Sequence, residues 1–241
     1  MMKNIVIMGS TSGIGMEVAE QFYRLGHRVA IAGRRIERLQ EISARLGNCP
    51  YACIDVTKAD ATKHLQDLLH RLGGMDIYLH VSGIGKQNRV LETDIEISTI
   101  ETNVLGFTSM IDFAFHYFEA KGGGHIAAVT SIAGTKGMGA APSYSATKRY
   151  CNCYIEALFQ LSHMRGLGIT FTDIRPGFVD TDMLSKDFHY PMMMSPATVA
   201  RHIVKGILNK RRVLTIDWRF CILVFIWRLI PSCLWIRMKV G

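Results

Sequence analysis

A chain of 241 residues, 49% of them hydrophobic, can bury one large or two small cores, and a single domain is expected. Its formal charge of +8 lies entirely at the C-terminal end: from Arg201 onward nine Lys or Arg face one acid, Asp217, while the first 200 residues carry nineteen charges of each sign. That distribution argues against a nucleic-acid-binding surface, and six cysteines without a CxxC or a metal-ligand spacing argue for reduced thiols and no metal site.

The first apolar run, Ile5 to Gly9, is too short for a signal peptide, so a protein that stays in the cytoplasm is expected. It reads as a strand, followed by helix periodicity through Ile14, Val18, Phe22 and Leu25 and a second strand at Val29 to Ala32, which is a βαβ unit. A helix carrying Ile36, Leu39, Ile42 and Leu46 closes at Gly47, and a strand follows near Tyr51 to Val56. The next helix, with Leu65, Leu68, Leu69 and Leu72, ends at Gly73 and leads to a strand at Ile77 to Val81. A long helical stretch is expected from about Thr93 to Ala120, then a strand at His125 to Thr130, a helix containing Tyr144, and a strand at Ile169 to Ile174. The last pair is a helix with Ser195 as N-cap and Pro196 in its first turn, and a strand at Val213 to Ile216. Strict alternation of this kind predicts an α/β fold: a Rossmann-like, doubly wound parallel sheet of about seven strands with helices on both faces.

Three stretches suggest chemistry. "GSTSGIG", Gly9 to Gly15, ends the first strand and opens the first helix, where glycines allow a tight turn and let helix N–H groups approach a pyrophosphate. At the end of the second strand, where a unit selective for NAD would offer an acid to the ribose, stand Arg34 and Arg35. Guanidinium groups suit a 2′-phosphate, which favours NADP(H) over NAD(H); two solvated arginines opening a helix are the plain alternative. Asp55 could reach the adenine or simply make a turn. In "PSYSATKRYC" Tyr144 and Lys148 share a helix face, and a cation fixed beside a phenol favours the phenolate.

In this order the motifs resemble the short-chain dehydrogenase/reductase family from Ile5 to about Ile216. "GSTSGIG" is similar to its TGxxxGxG loop, with Met8 in place of threonine; "ETNVLG" carries Asn103, "VTSIAG" carries Ser131, Tyr144 and Lys148 match YxxxK, and "RPGFVDT" resembles its PG-motif loop. The resemblance implies a catalytic set of Asn103, Ser131, Tyr144 and Lys148. It implies cofactor contacts from Gly9, Ser10, Thr11, Ser12, Gly13, Ile14 and Gly15, from Arg34, Arg35, Asp55, Val56 and Gly83, from Tyr144 and Lys148, and from Pro176, Gly177, Val179 and Thr181. In that scheme Tyr144 exchanges a proton with the substrate oxygen, Lys148 holds the nicotinamide ribose, Ser131 positions the carbonyl and Asn103 holds a relay water. One block departs: where the family shows NNAG, this chain has "HVSG", His80 to Gly83, and His80 is expected to be a satisfied core residue.

These features imply an NADPH-dependent oxidoreductase acting on a small carbonyl or alcohol. A catalytically silent NADP(H) sensor or scaffold is the alternative that the altered block leaves open. Residues 182–195 lie where the family places its mobile lid, and Met192, Met193 and Met194 suit an apolar substrate, although they could equally fill the core. Residues 1–216 are expected to form the catalytic domain, and a homo-oligomer is expected. The basic, aromatic segment 217–241 has an uninterrupted apolar run only from Phe220 to Trp227, far short of the ~20 residues that span a bilayer. It is expected to cover the substrate mouth, join subunits or lie on a membrane surface.

Overall fold

A computed structural model describes residues 1–184 and 190–240; residues 185–189 of the expected lid lie outside the described residues. Seven strands form one sheet: β1 (Asn4–Met8), β2 (Arg28–Gly33), β3 (Tyr51–Cys53), β4 (Ile77–His80), β5 (Gly124–Val129), β6 (Ile169–Arg175) and β7 (Val213–Thr215). Their spatial order is β3-β2-β1-β4-β5-β6-β7, and every pairing is parallel. The order reverses between β1 and β4, so the crevice at the C-terminal ends of those strands is the topological switch point where such sheets hold ligands.

Parallel strands are buried on both faces, and successive side chains alternate between them. In β1, Ile5 and Ile7 enter one core and Val6 and Met8 the other. The first core is covered by α1 (Gly13–Arg24), α2 (Ile36–Arg45), α7 (Pro196–Leu208) and α8 (Trp218–Leu229), through Phe22, Leu39, Ile203 and Phe220 among others. The second is covered by α3 (Ala61–Leu72), α5 (Phe107–Lys121) and α6 (Pro142–Met164), through Leu65, Phe118 and Ile155. Local chemistry sets the ends: Gly73 closes α3 in the left-handed region at φ 84°, and Ser195 accepts the Thr198 N–H to cap α7.

Two expected elements differ. The third strand stops at Cys53 because the Asp55 carboxylate accepts from the Thr57 N–H at 3.0 Å and its hydroxyl at 2.8 Å, which turns the chain. The long helix is α4 (Thr93–Ile100), a π-helical segment at Glu101–Gly106, and then α5. Gly106 lies against Val56 so closely that a β-carbon would stand 2.7 Å from the Val56 side chain. After β7, α8 and the short α9 (Ser232–Trp235) return over the 3-10 turn Ile132–Thr135 and the loop after it. Among the described residues, no helix is long and apolar enough to cross a membrane.

Candidate active site

The loop Gly9 to Gly15 is held in shape by its backbone. Gly9 adopts φ +95°, and a β-carbon there would lie 2.5 Å from the Ser82 amide nitrogen; at Gly15 one would overlap the Gly9 carbonyl. Only glycine permits both approaches, so the start of α1 stands directly beneath the loop, as a pyrophosphate cradle requires. Ser10 is buried, and its hydroxyl bonds the backbone of Ala32 at 3.1 Å, which ties the cradle to β2. Ile14 packs against the first core. Arg35 crosses toward the loop, donating to the Thr11 hydroxyl at 2.9 Å and the Ser12 hydroxyl at 2.6 Å. Arg34 is its exposed neighbour in the chain, and its charge acts on Asp55.

The expected cofactor contacts Asp55 and Val56 diverge. The Asp55 carboxylate is engaged in its turn: burial works to raise its pKa, but the Thr57 hydrogen bonds and the Arg34 and Lys58 charges outweigh that and hold it low. Val56 is buried against Gly106.

The π-helical segment aims Asn103 at the loop after β4. Its Oδ1 accepts the Ile84 N–H at 2.9 Å and its Nδ2 donates to the Ile84 carbonyl at 2.7 Å, with a further contact to Thr147 Oγ1 at 3.2 Å. A two-way clamp on one residue braces the turn that "HVSG" leaves without asparagine. Cys151 Sγ donates to the Asn103 carbonyl at 3.3 Å, and burial pushes this thiol up to about 11. His80 is fully buried, yet only half satisfied: Nδ1 meets the Tyr78 hydroxyl at 3.1 Å and Nε2 lacks a hydrogen-bond partner among the described residues. Burial, aided by the Lys148 charge against a smaller opposing effect of the Ser82 backbone, pulls it down to about 3, so the ring is neutral. The expectation of a fully satisfied histidine is corrected on that point.

α6 brings Tyr144 and Lys148 to the same crevice. The Lys148 ammonium is 5.8 Å from the Tyr144 ring centroid and donates to the Val129 carbonyl at 3.1 Å. A β-carbon on Gly83 would stand 3.4 Å from that ammonium and 3.2 Å from Asn103 Oδ1, and one on Gly85 would overlap the half-buried Tyr144 ring. Ser131 follows β5 at the head of the 3-10 turn, and its Oγ accepts the Ala133 N–H at 3.0 Å. That turn rests on the Lys148 backbone through Gly134. Asn103, Lys148, Tyr144 and the Ser131 turn are thus joined by contacts on one side of the switch point.

The PG loop closes the other side. The Pro176 carbonyl accepts from the Ile132 N–H at 3.2 Å, the Thr181 methyl is 3.0 Å from a β-carbon placed on Gly13, and Val179 forms an isolated bridge with Met194. Gly177 is covered by the Phe220 ring of α8. Of the three methionines, Met194 is buried in the core while Met193 is exposed.

One group escaped the motif reading. Asp173, buried, accepts from the Thr130 hydroxyl at 2.5 Å and from Arg175 Nε at 2.7 Å, locking the C-terminal ends of β5 and β6 just before Ser131 and Pro176. Burial raises its pKa against the opposing pull of Arg175, Thr130 and Lys148. The available signal was an acid and a base two residues apart, hence on one face, inside the otherwise apolar strand "ITFTDIR".

Comparison with known proteins agrees with this architecture. The model of a family described as short chain dehydrogenase matches residues 3–190. An uncharacterized oxidoreductase of Myxococcus xanthus is 28% identical over 238 residues, 95% of this chain and 93% of its own. ElxO with NADP bound has a TM-score of 0.80 at 23% identity, over 92% of this chain and 99% of that one. An alcohol dehydrogenase of the archaeon Thermococcus sibiricus, complexed with 5-hydroxy-NADP, gives 0.76 at 26% identity over 90% and 95%.

Proposed function

The chain belongs to the short-chain dehydrogenase family, an NAD(P)-dependent oxidoreductase, and from that premise we propose that it reduces an apolar carbonyl compound with NADPH, or oxidises the matching alcohol. The observation that carries the proposal is the convergence of Tyr144, Lys148 and Asn103 around Gly83 and Gly85 at the sheet's switch point. Residues 1–216 are the proposed catalytic unit and residues 217–241 the proposed extension, of which 218–235 pack upon it through Phe220 and Trp235.

The phosphate cradle Gly9 to Gly15 suits a dinucleotide, because its packing leaves no room for a β-carbon at Gly9 or Gly15 and turns the N-terminus of α1 toward it. Thr11, Ser12, Gly13, Pro176, Gly177, Val179 and Thr181 are the proposed flanking contacts, with Arg34 and Arg35 on the 2′-phosphate. The NADP in ElxO and the NADP derivative in the archaeal alcohol dehydrogenase support that choice. NADPH, when bound, supplies the hydride.

The protein's part is to place and move a proton. In reduction Tyr144 gives its phenolic proton to the carbonyl oxygen as charge builds there, and the Ser131 hydroxyl holds that oxygen in place. Lys148, anchored on the Val129 carbonyl, sets a positive charge beside the phenol and passes it a proton that solvent then restores to the ammonium. Asn103 fixes the Gly83 to Gly85 turn against both. Exposed Met183 and Met193 beside the PG loop support an apolar substrate.

The test is NADPH oxidation by the purified protein across a panel of aldehydes and ketones of graded size and polarity. Turnover should rise with apolar bulk and fall in Ser131→Ala. If no member turns over while NADPH still binds, reductase chemistry is refuted.

A further inference from the structure

We propose that the C-terminal segment docks this protein onto an anionic phospholipid surface, lying in the interface without crossing it. Along α8 the apolar side chains divide into two arcs. Phe220 and Val224 are buried in the core. Trp218, Ile222, Phe225, Ile226 and Leu229 form the opposite arc, with Trp218 71%, Phe225 63% and Leu229 66% exposed. At 3.6 residues per turn those five positions fall within an arc of about 100°, and Arg219 and Arg228 border it on either side. An apolar stripe edged by cations suits the boundary between acyl chains and headgroups.

Charge selects the occupant. Residues 218–240 carry four cations, Arg219, Arg228, Arg237 and Lys239, and no acid. Beside α9 a cleft of about 910 Å³ is lined by five cations, Arg89, Lys136, Arg149, Arg228 and Lys239, with no carboxylate among its described lining residues. Ser131, Tyr144 and Lys148 are not among its described lining residues, although Thr135, which ends the Ser131 turn, and Arg149, next to Lys148, are. Lys136 donates to the Ile230 carbonyl at 2.8 Å and Trp235 Nε1 to the Gly137 carbonyl at 2.7 Å, so the extension is fastened to the cleft wall. A headgroup phosphate entering this cleft would meet the cations while its chains lay along the α8 stripe. A second copy of the chain would instead bring like charge to like charge.

The experiment is sedimentation of the full-length protein with phosphatidylglycerol vesicles and, separately, phosphatidylcholine vesicles. The protein should pellet with the first and stay largely in solution with the second. The double variant Phe225→Glu, Leu229→Glu changes only exposed positions; it should keep its melting temperature and NADPH binding and lose vesicle binding. Arg228→Glu and Lys239→Glu should each weaken partitioning roughly fivefold or more. Absence of binding to phosphatidylglycerol vesicles, or full binding by the double variant, would overturn the proposal. So would a wild-type dimer that the double variant converts to monomer without any vesicle binding, which would assign the stripe to a second copy. All readouts are independent of turnover, so failure of the reductase reading leaves them intact.

Discussion

Arg35 is the side chain on which the proposed cofactor choice turns. Its guanidinium is oriented by the Thr11 and Ser12 hydroxyls, so a 2′-phosphate at the loop would meet a positive charge already held in place. Loss of a charge-assisted contact costs about 1.5–3 kcal/mol. Arg35→Glu should therefore raise the KM for NADPH by roughly 10- to 100-fold and leave that for NADH little changed or improved, as steady-state kinetics with both cofactors would show. An unchanged NADPH/NADH ratio would move the phosphate site elsewhere. At this scale much was written in the sequence: the glycines, Asn103, Tyr144 and Lys148 stand out by type and spacing. The Asn103 clamp on Ile84 did not, because its partner is a backbone amide that any residue would supply. The Asp173–Arg175 lock was hidden for a related reason, since pairing a buried acid with Thr130 depends on the register of β5 against β6.

Among the elements, the alternation of strand and helix was readable because parallel strands leave continuous apolar runs and helices leave a 3.6-residue stripe. The π-helical turn at Glu101–Gly106 was not, since a shift in hydrogen-bonding partner changes no residue type. Nor was the fit of α8: an apolar helix without acids shows no preferred face in its composition, and the face is set by where Phe220 lands. That ring lies on Gly177 and within the first core, which ties the extension to the PG loop. Phe220→Ala should lower stability by about 3–5 kcal/mol and loosen the PG loop, seen as a lower denaturation midpoint together with weaker NADPH binding. A variant with wild-type stability would detach α8 from the core.

For the whole molecule, acid sensitivity follows from two buried neutral imidazoles. Burial first, then the nearby lysines, holds His125 down to about 4, and burial with the Lys148 charge holds His80 down to about 3. Both rings stay neutral in the folded chain while the unfolded chain takes up both protons below about 6.5. Their contribution is complete above that value and is lost as pH falls from it toward about 4. Unfolding free energy should drop by about 4 kcal/mol between about pH 7 and pH 5, measured by denaturant titration, and His125→Gln should remove close to half of the drop. A flat profile would mean that the rings find protons or partners in the folded state.

All the proposed chemistry depends on the phenol at position 144, brought against Gly85 and set beside Lys148 by the contacts around the switch point. The most direct measurement is single-turnover NADPH oxidation by Tyr144→Phe on the best carbonyl substrate, alongside NADPH affinity. General acid catalysis contributes about 10²- to 10⁴-fold, so the rate should fall by that factor while NADPH affinity stays within about threefold of wild type. A variant that reduces the substrate at the wild-type rate would contradict the account.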